Sequence, residues 1–212
     1  MGEMAKFLNV AGRAAAAKVL DPIGAGLVRL GLAPNVITLI GTTGVVAGCV
    51  FLVARGQLAW GLVVVALAVC TDLLDGAMAR AKGVSSRFGA MLDSTMDRIA
   101  DGAIFASLAY WLAVSGDRSS AVAALICLVA AEVVSYTKAR AESLGASCDV
   151  GIAERPERLI LIGIGALIHI VGVPYAMAVT LWLLAVMSVV TVAQRVLHVR
   201  RQLSEDVDPD NA

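Results

Sequence analysis

The sequence predicts an all-α integral membrane protein: six transmembrane helices preceded by an N-terminal amphipathic helix at the membrane interface. Three observations predict it. The 212 residues are 59% hydrophobic and only 16% charged, and the mean hydropathy is +0.83, whereas soluble domains are nearer half apolar and a quarter charged. Apolar runs close to the length needed to cross a bilayer, about 20 residues, alternate with short polar segments. The basic residues between those runs fall almost entirely on alternate turns.

The elements follow in chain order. Residues 1–33 form a juxtamembrane segment in which Met4, Leu8, Ala11, Ala15 and Val19 share one helix face, with Lys6, Asn9 and Arg13 on another. Such a helix lies on the membrane surface, its cations near anionic headgroups. Residues 34–202 form the six-helix catalytic domain. Its spans are Val36 to Ala54, Leu58 to about Ala79, Phe88 to Val114, Ala121 to Tyr136, Leu159 to Gly172 and Tyr175 to Ala193. Gly172, Val173 and Pro174 separate the last two, because proline after glycine stops a helix. Gly41, Gly44 and Gly48 make a small-residue strip on the first span, suited to close packing within the chain or across a dimer. Residues 203–212 read as an acidic, disordered tail.

An even number of spans puts both termini on one side. That side collects Lys6, Arg13, Lys18, Arg29, Arg80, Lys82, Arg87, Lys138, Arg140, Arg155, Arg158, Arg195, Arg200 and Arg201, while the other keeps Arg55 and Arg118. The asymmetry places both termini in the cytoplasm of a multi-pass plasma-membrane protein. Zero net charge gives no global pull toward nucleic acid. Cys49, Cys70, Cys127 and Cys148 lack zinc or redox spacing and read as small packing residues. The N-terminus shows neither a removable signal nor a myristoylation pattern.

Four carboxylates interrupt this apolar background. Asp72 and Asp75 are three apart at the end of span two, and Asp93 and Asp97 are four apart at the start of span three. Each pair therefore shares a helix face. The short linker makes the helices antiparallel neighbours, so the pairs face each other across a cleft at the cytoplasmic membrane boundary. Converging carboxylates repel unless cations hold them, and oxygen-only ligands favour Mg²⁺, Mn²⁺ or Ca²⁺ over zinc. Two such ions suit phosphate chemistry. Gly76 and Gly89 flank the cluster, either to admit a ligand or to permit tight helix packing. A divalent-cation transporter also uses intramembrane aspartates, but it requires polar groups at mid-membrane with a path to both faces. Here the aspartates gather at one end, which favours interfacial catalysis.

The full spacing, Asp72-x2-Asp75-Gly76-x2-Ala79-Arg80-x8-Gly89-x3-Asp93-x3-Asp97, resembles the motif of the CDP-alcohol phosphotransferase family at every fixed position. Ala33 to Thr38, APNVIT, is similar to that family's Pro-Asn-x-x-Thr lead into span one. The resemblance implies an enzyme that joins the phosphatidyl group of CDP-diacylglycerol to an alcohol and releases CMP. It implies two Mg²⁺ or Mn²⁺ ions on Asp72, Asp75 and Asp93, with Asp97 as general base and further candidate ligand. It implies a CDP-lipid side of Asn35, Thr38, Asp72, Gly76, Ala79 and Arg80, and a homodimer among membrane lipids.

A second polar cluster bears on the acceptor. Lys138, Arg155, Arg158 and Arg195 flank the same cytoplasmic ends, and arginine forks suit phosphate oxygens. Serine or free inositol would not need four cations; pairing with Glu154 and Glu157 is the plainer alternative. The cluster and its surroundings resemble the actinobacterial branch of the family, which uses inositol phosphate. That implies an acceptor-phosphate pocket of Lys138, Arg155, Arg158 and Arg195, with Ser135 lining it. A related branch, which makes phosphatidylglycerol phosphate from glycerol phosphate, shares the aspartate motif and is the alternative. Asp101, one turn beyond the motif, is expected to support Asp97 or to pair with a basic group, with support favoured.

Overall fold

The computed structural model describes residues 20–82 and 86–205, except the side chains of residues 72, 73, 75 and 205. The amphipathic segment expected over residues 4–19 and the tail from residue 206 lie outside the described residues. Among the described residues the chain is helical, without strands. Helix α1 occupies 20–29, followed by α2 (Pro34–Phe51), α3 (Leu58–Lys82), α4 (Arg87–Val114), α5 (Arg118–Ser143), α6 (Arg155–Ile170) and α7 (Ala176–Glu205). Helix α7 continues through Glu205, past residue 202, where the tail was expected to begin.

Among the described residues, four segments are long and apolar enough to cross a membrane: Pro34–Arg55, Leu58–Lys82, Arg118–Ser143 and Ala176–Ser204. The other two expected spans are helices but fall short of that standard. Helix α4 has 28 residues, yet it carries Arg87, Asp93, Asp97, Arg98 and Asp101. Helix α6 has only 16 residues, about 24 Å at 1.5 Å per residue. Large apolar side chains such as Trp60, Leu67, Val129 and Val179 are more than 60% exposed, a surface that suits lipid rather than water.

The chain divides into two compact units, one of residues 1–48 and 63–100, the other of 49–62 and 101–212. In the first, Gly31 ends α1 with a φ of +82°, a conformation glycine adopts without steric cost. Pro34 then opens α2, where a missing N–H leaves no intrahelical bond unmade. Helices α1 and α2 both pack on α3. A Cβ on Gly24 would come within 2.9 Å of the Ala77 and Met78 backbone, and one on Gly41 within 1.9 Å of Thr71 Oγ1. Gly44 and Gly48 meet Ala68, Val64 and Val65. The glycine strip of the first span is thus used inside the chain.

In the second unit, α7 packs against both α5 and α6. Helix α5 buries Ala123, Ala124, Cys127, Ala130, Ala131 and Val134, a three-to-four repeat of small residues. Such a face lets helix backbones approach closely, and Leu181 and Leu184 of α7 are fully buried there. Asp117 caps α5 by accepting the Ser120 N–H at 3.0 Å. The Ser120 side chain, and then this N–H, hold the Asp117 carboxyl below the usual carboxylate range, so the cap weakens only as pH falls through the lowered value. At the far end, Gly145 turns at φ +81°, and Ala146 N–H returns to Ala141 O at 3.0 Å. Ala141, Ala146 and Cys148 pack with Val199 and Leu203. His169 packs edge-on against Trp111, ring centroids 5.6 Å apart.

Gly165 meets Thr180 so closely that an added Cβ would lie 2.4 Å from its Oγ1, whereas Gly163 on the same helix has nothing within 4 Å. We expect Gly24→Ala and Gly165→Ala each to cost about 1–3 kcal/mol of stability, and Gly163→Ala to be harmless. Thermal unfolding in detergent checks this; equal melting temperatures for the 165 and 163 variants would refute the packing argument.

Candidate active site

Three helix ends in the first unit enclose a cleft of about 300 Å³. The start of α2 contributes Pro34, Asn35 and Thr38; the last turns of α3 contribute Gly76, Ala79 and Lys82; the start of α4 contributes Gly89, Ala90 and Asp93, with Ser86 just before it. Ser86 Oγ accepts the Gly89 N–H at 2.8 Å, which caps the first turn of α4.

The two glycines of the aspartate motif have different reasons. A Cβ on Gly89 would lie 2.9 Å from Ser86 Oγ and 3.2 Å from Asn35 Oδ1, so a side chain there would have to displace the Ser86 and Asn35 side chains. Around Gly76 only the Arg80 Nη1 lies within 4 Å, at 3.6 Å. No neighbouring helix demands glycine there; the space belongs to the cleft. Thr38 is buried in the wall and its hydroxyl donates to Pro34 O at 3.3 Å.

Asp93 is exposed, lines the cleft and has no hydrogen-bond or ion-pair partner among the described residues. Asp97, one turn further along α4, is half-buried and lies 3.9 Å from Arg98. Asp72 and Asp75 are helical residues of α3, one turn apart and adjacent to Gly76. Their side chains lie outside the description, and no group of three Asp, Glu, His or Cys side chains gathers among the described residues. What is described fits a hard dication: an unpaired carboxylate faces the cleft, and neither cysteine nor histidine lines it. Arg80, expected at the nucleotide, does not line the cleft. Its Nη2 bonds Asp21 Oδ1 of α1 at 2.9 Å, both side chains about half exposed. Sequence reasoning missed Lys82, Ser86 and Asp21. A serine three residues before Gly89, at a helix start, was the legible signal for Ser86.

The residues expected to hold the acceptor phosphate lie in the second unit, linked by one polar network. Lys138 Nζ donates to Asp149 and lies 4.0 Å from Glu142. That hydrogen bond holds the Asp149 carboxyl below the usual range, so the pair separates only as pH falls through the lowered value. Arg195 is buried and donates to Val150 O at 2.8 Å, Val134 O at 2.7 Å and Glu154 Oε1 at 2.9 Å. Arg158, 1% exposed, donates to Asp101 Oδ2 at 2.6 Å and to Ala153 O at 3.1 Å. Arg155 Nε reaches Asp101 Oδ1 at 3.3 Å. The Ser135 hydroxyl turns back to Ala131 O at 3.0 Å. Arg158 and Arg195 are therefore engaged inside the protein, while Lys138 and Arg155 keep exposed surface. Asp101, expected to support Asp97, pairs with Arg158 and Arg155 instead, because a buried carboxylate needs the nearest cation.

A model of the CDP-alcohol phosphatidyltransferase family matches residues 31–193. The chain is 50% identical over 192 residues to a phosphatidylinositol phosphate synthase of Mycolicibacterium smegmatis, covering 89% of this chain and 86% of that one. It is 48% identical over 207 residues to the Streptomyces avermitilis protein of the same name, covering 94% and 85%. It also resembles the crystal structure of Mycobacterium tuberculosis phosphatidylinositol phosphate synthase with CDP-DAG bound. There the TM-score is 0.83 at 49% identity, over 86% of this chain and 94% of that one. The same mycobacterial enzyme in complex with manganese and citrate gives 0.82 at 50% identity, over 85% and 88%.

The network sorts its cations by burial. Arg195→Met would remove the three hydrogen bonds of a buried guanidinium, to Val150 O, Val134 O and Glu154, and is expected to cost roughly 2–4 kcal/mol. Lys138→Met breaks exposed pairs and should cost under about 1 kcal/mol. Melting temperatures in detergent distinguish the two; equal losses would refute the sorting.

Proposed function

Because the chain belongs to the CDP-alcohol phosphatidyltransferase family, we propose that it transfers the phosphatidyl group of CDP-diacylglycerol to a hydroxyl of inositol phosphate and releases CMP. The observation that carries this is the cleft at the α2, α3 and α4 ends. Asp93 of the aspartate motif opens into it without a partner among the described residues, and Gly76 and Ala79 keep its α3 wall free of bulk. Identity near 50% to proteins named phosphatidylinositol phosphate synthase supports the acceptor.

The acceptor hydroxyl gives its proton to the Asp97 carboxylate as its oxygen forms a bond to the lipid-linked phosphorus. The phosphorus–oxygen bond to CMP breaks, and CMP leaves with the electron pair. Two Mg²⁺ or Mn²⁺ ions held by Asp72, Asp75 and Asp93, with Asp97 as a further ligand, would neutralise the charge that builds on the phosphoryl and leaving oxygens. Asn35, Thr38, Gly76 and Ala79 border the nucleotide. Arg80 can leave Asp21 at little cost, since exposed ion pairs contribute about 0–1 kcal/mol, and so becomes available to a phosphate. Lys138 and Arg155 receive the acceptor phosphate, with Ser135 nearby; Arg158 and Arg195 hold the surrounding backbone and Asp101.

The same reading gives the protein six spans, α4 and α6 crossing as well as the four more apolar segments, with their charged ends at the membrane boundary. The basic residues place both termini and the site in the cytoplasm, at the plasma membrane. The enzyme acts as a homodimer. Acyl tails then remain in lipid while the polar acceptor arrives from water.

CMP release by purified protein with CDP-diacylglycerol and Mg²⁺ tests the assignment, with inositol phosphate, glycerol phosphate, free inositol and serine in parallel. Turnover with inositol phosphate alone is expected. Turnover with glycerol phosphate instead would keep the aspartate chemistry and overturn the acceptor; no CMP from any acceptor would reject the activity. Asp97→Asn is expected to lower kcat by a factor of about 10²–10⁴, the range for a lost general base, while CDP-lipid binding persists. Retained turnover would remove Asp97 from that role.

A further inference from the structure

Asp101 is the buried carboxylate of the second unit, 1% exposed, and its two oxygens go to two different arginines. Oδ2 takes Arg158 Nη2 at 2.6 Å, and Oδ1 takes Arg155 Nε at 3.3 Å. The arginines are not equivalent. Arg158 is as buried as Asp101, its Nη1 is committed to Ala153 O, and its Nε is buried without a partner. No solute can reach it. The Arg155 side chain keeps 20% of its surface and lies in the first turn of α6, beside Pro156.

An arginine side chain carries rotamer freedom that a ligand must otherwise remove on binding. A carboxylate on the Nε edge restrains rotation of the guanidinium about its last bond, and so sets the plane in which its other nitrogens lie. The carboxylate itself must remain ionised in a setting that disfavours charge, and the fully buried Arg158 supplies the compensating cation.

We propose that Asp101 is a positioning residue for acceptor recognition. It holds Arg155 by the Nε edge, so that the guanidinium meets the acceptor's phosphate already oriented, and Arg158 is the counter-ion that permits this. The proposal rests on the reading of Arg155 as an acceptor-phosphate group.

Asp101→Leu alone would strand a buried guanidinium and could abolish folding. Asp101→Leu/Arg158→Met replaces the pair together by apolar side chains, an exchange that is often neutral or stabilising. The experiment is a cycle of wild type, Arg155→Ala, Asp101→Leu/Arg158→Met and the triple variant. It measures kcat and both KM values by CMP release, beside melting temperature. Arg155→Ala and the double variant are each expected to raise the inositol phosphate KM about tenfold, with kcat and the CDP-diacylglycerol KM within about twofold. The triple variant should be no worse than Arg155→Ala, because the double variant acts through Arg155. The proposal is overturned if the effects multiply in the triple variant. It is equally overturned if the double variant leaves the acceptor KM unchanged, or changes kcat and both KM values together. An unchanged acceptor KM in Arg155→Ala would instead sink the role assigned to Arg155, and the proposal with it.

Discussion

A charge buried among apolar helices persists only if an opposite charge is buried with it, and the second unit is organised around that requirement. Asp101 and Arg158, each 1% exposed, meet at 2.6 Å and tie α4 to α6. Removing either partner would leave a charge in a medium that cannot solvate it, at a cost of about 3–5 kcal/mol. The same demand explains Arg195, whose guanidinium satisfies two backbone carbonyls and Glu154. The stretch between α5 and α6 has no regular structure of its own. Its ordering comes from α7: Thr191 accepts the N–H groups of Ile152 and Ala153, and Gln202 holds Ser147.

The first unit solves a different problem. Its helices approach closely because glycine faces the partner backbone at positions 24, 41, 44 and 48. Small residues bring α1 and α2 onto α3, with one exposed ion pair, Asp21 with Arg80, between α1 and α3. Asp93 has no cation of its own among the described residues, and Gly76 has no protein neighbour that requires it. A protein selected for stability alone would pair the first and fill the second. An open cleft with an uncompensated carboxylate is a common cost of binding a charged substrate.

These two economies fit one chemistry. Phosphoryl transfer asks for negative ligands where metal and nucleotide bind, and for fixed positive groups where a phosphorylated acceptor binds. On the carboxylate side, Asp93 is exposed near the start of α4. The arginines that hold the network are buried, while Arg155 and Lys138 stay more exposed, each beside a carboxylate.

The sequence by itself determined the helical class, the order of the helices and the aspartate motif, because these are local: apolar runs and turn residues act within a few positions. It also determined the family, since spacing along a helix face survives without knowledge of packing. Span ends were less legible. Arg118 and Arg201 read as loop or tail residues, yet α5 and α7 extend over both, because helix propensity continues where hydrophobicity stops. Only the tertiary structure decided which cations are spent. Nothing in the run Glu154 to Arg158 distinguishes Arg155 from Arg158; their difference is burial against Asp101, 54 and 57 residues away. The packing of the glycine strip on α3 and the separate reasons for Gly76 and Gly89 were likewise invisible. Each depends on what lies opposite, and a linear pattern records spacing, not the neighbour across the gap.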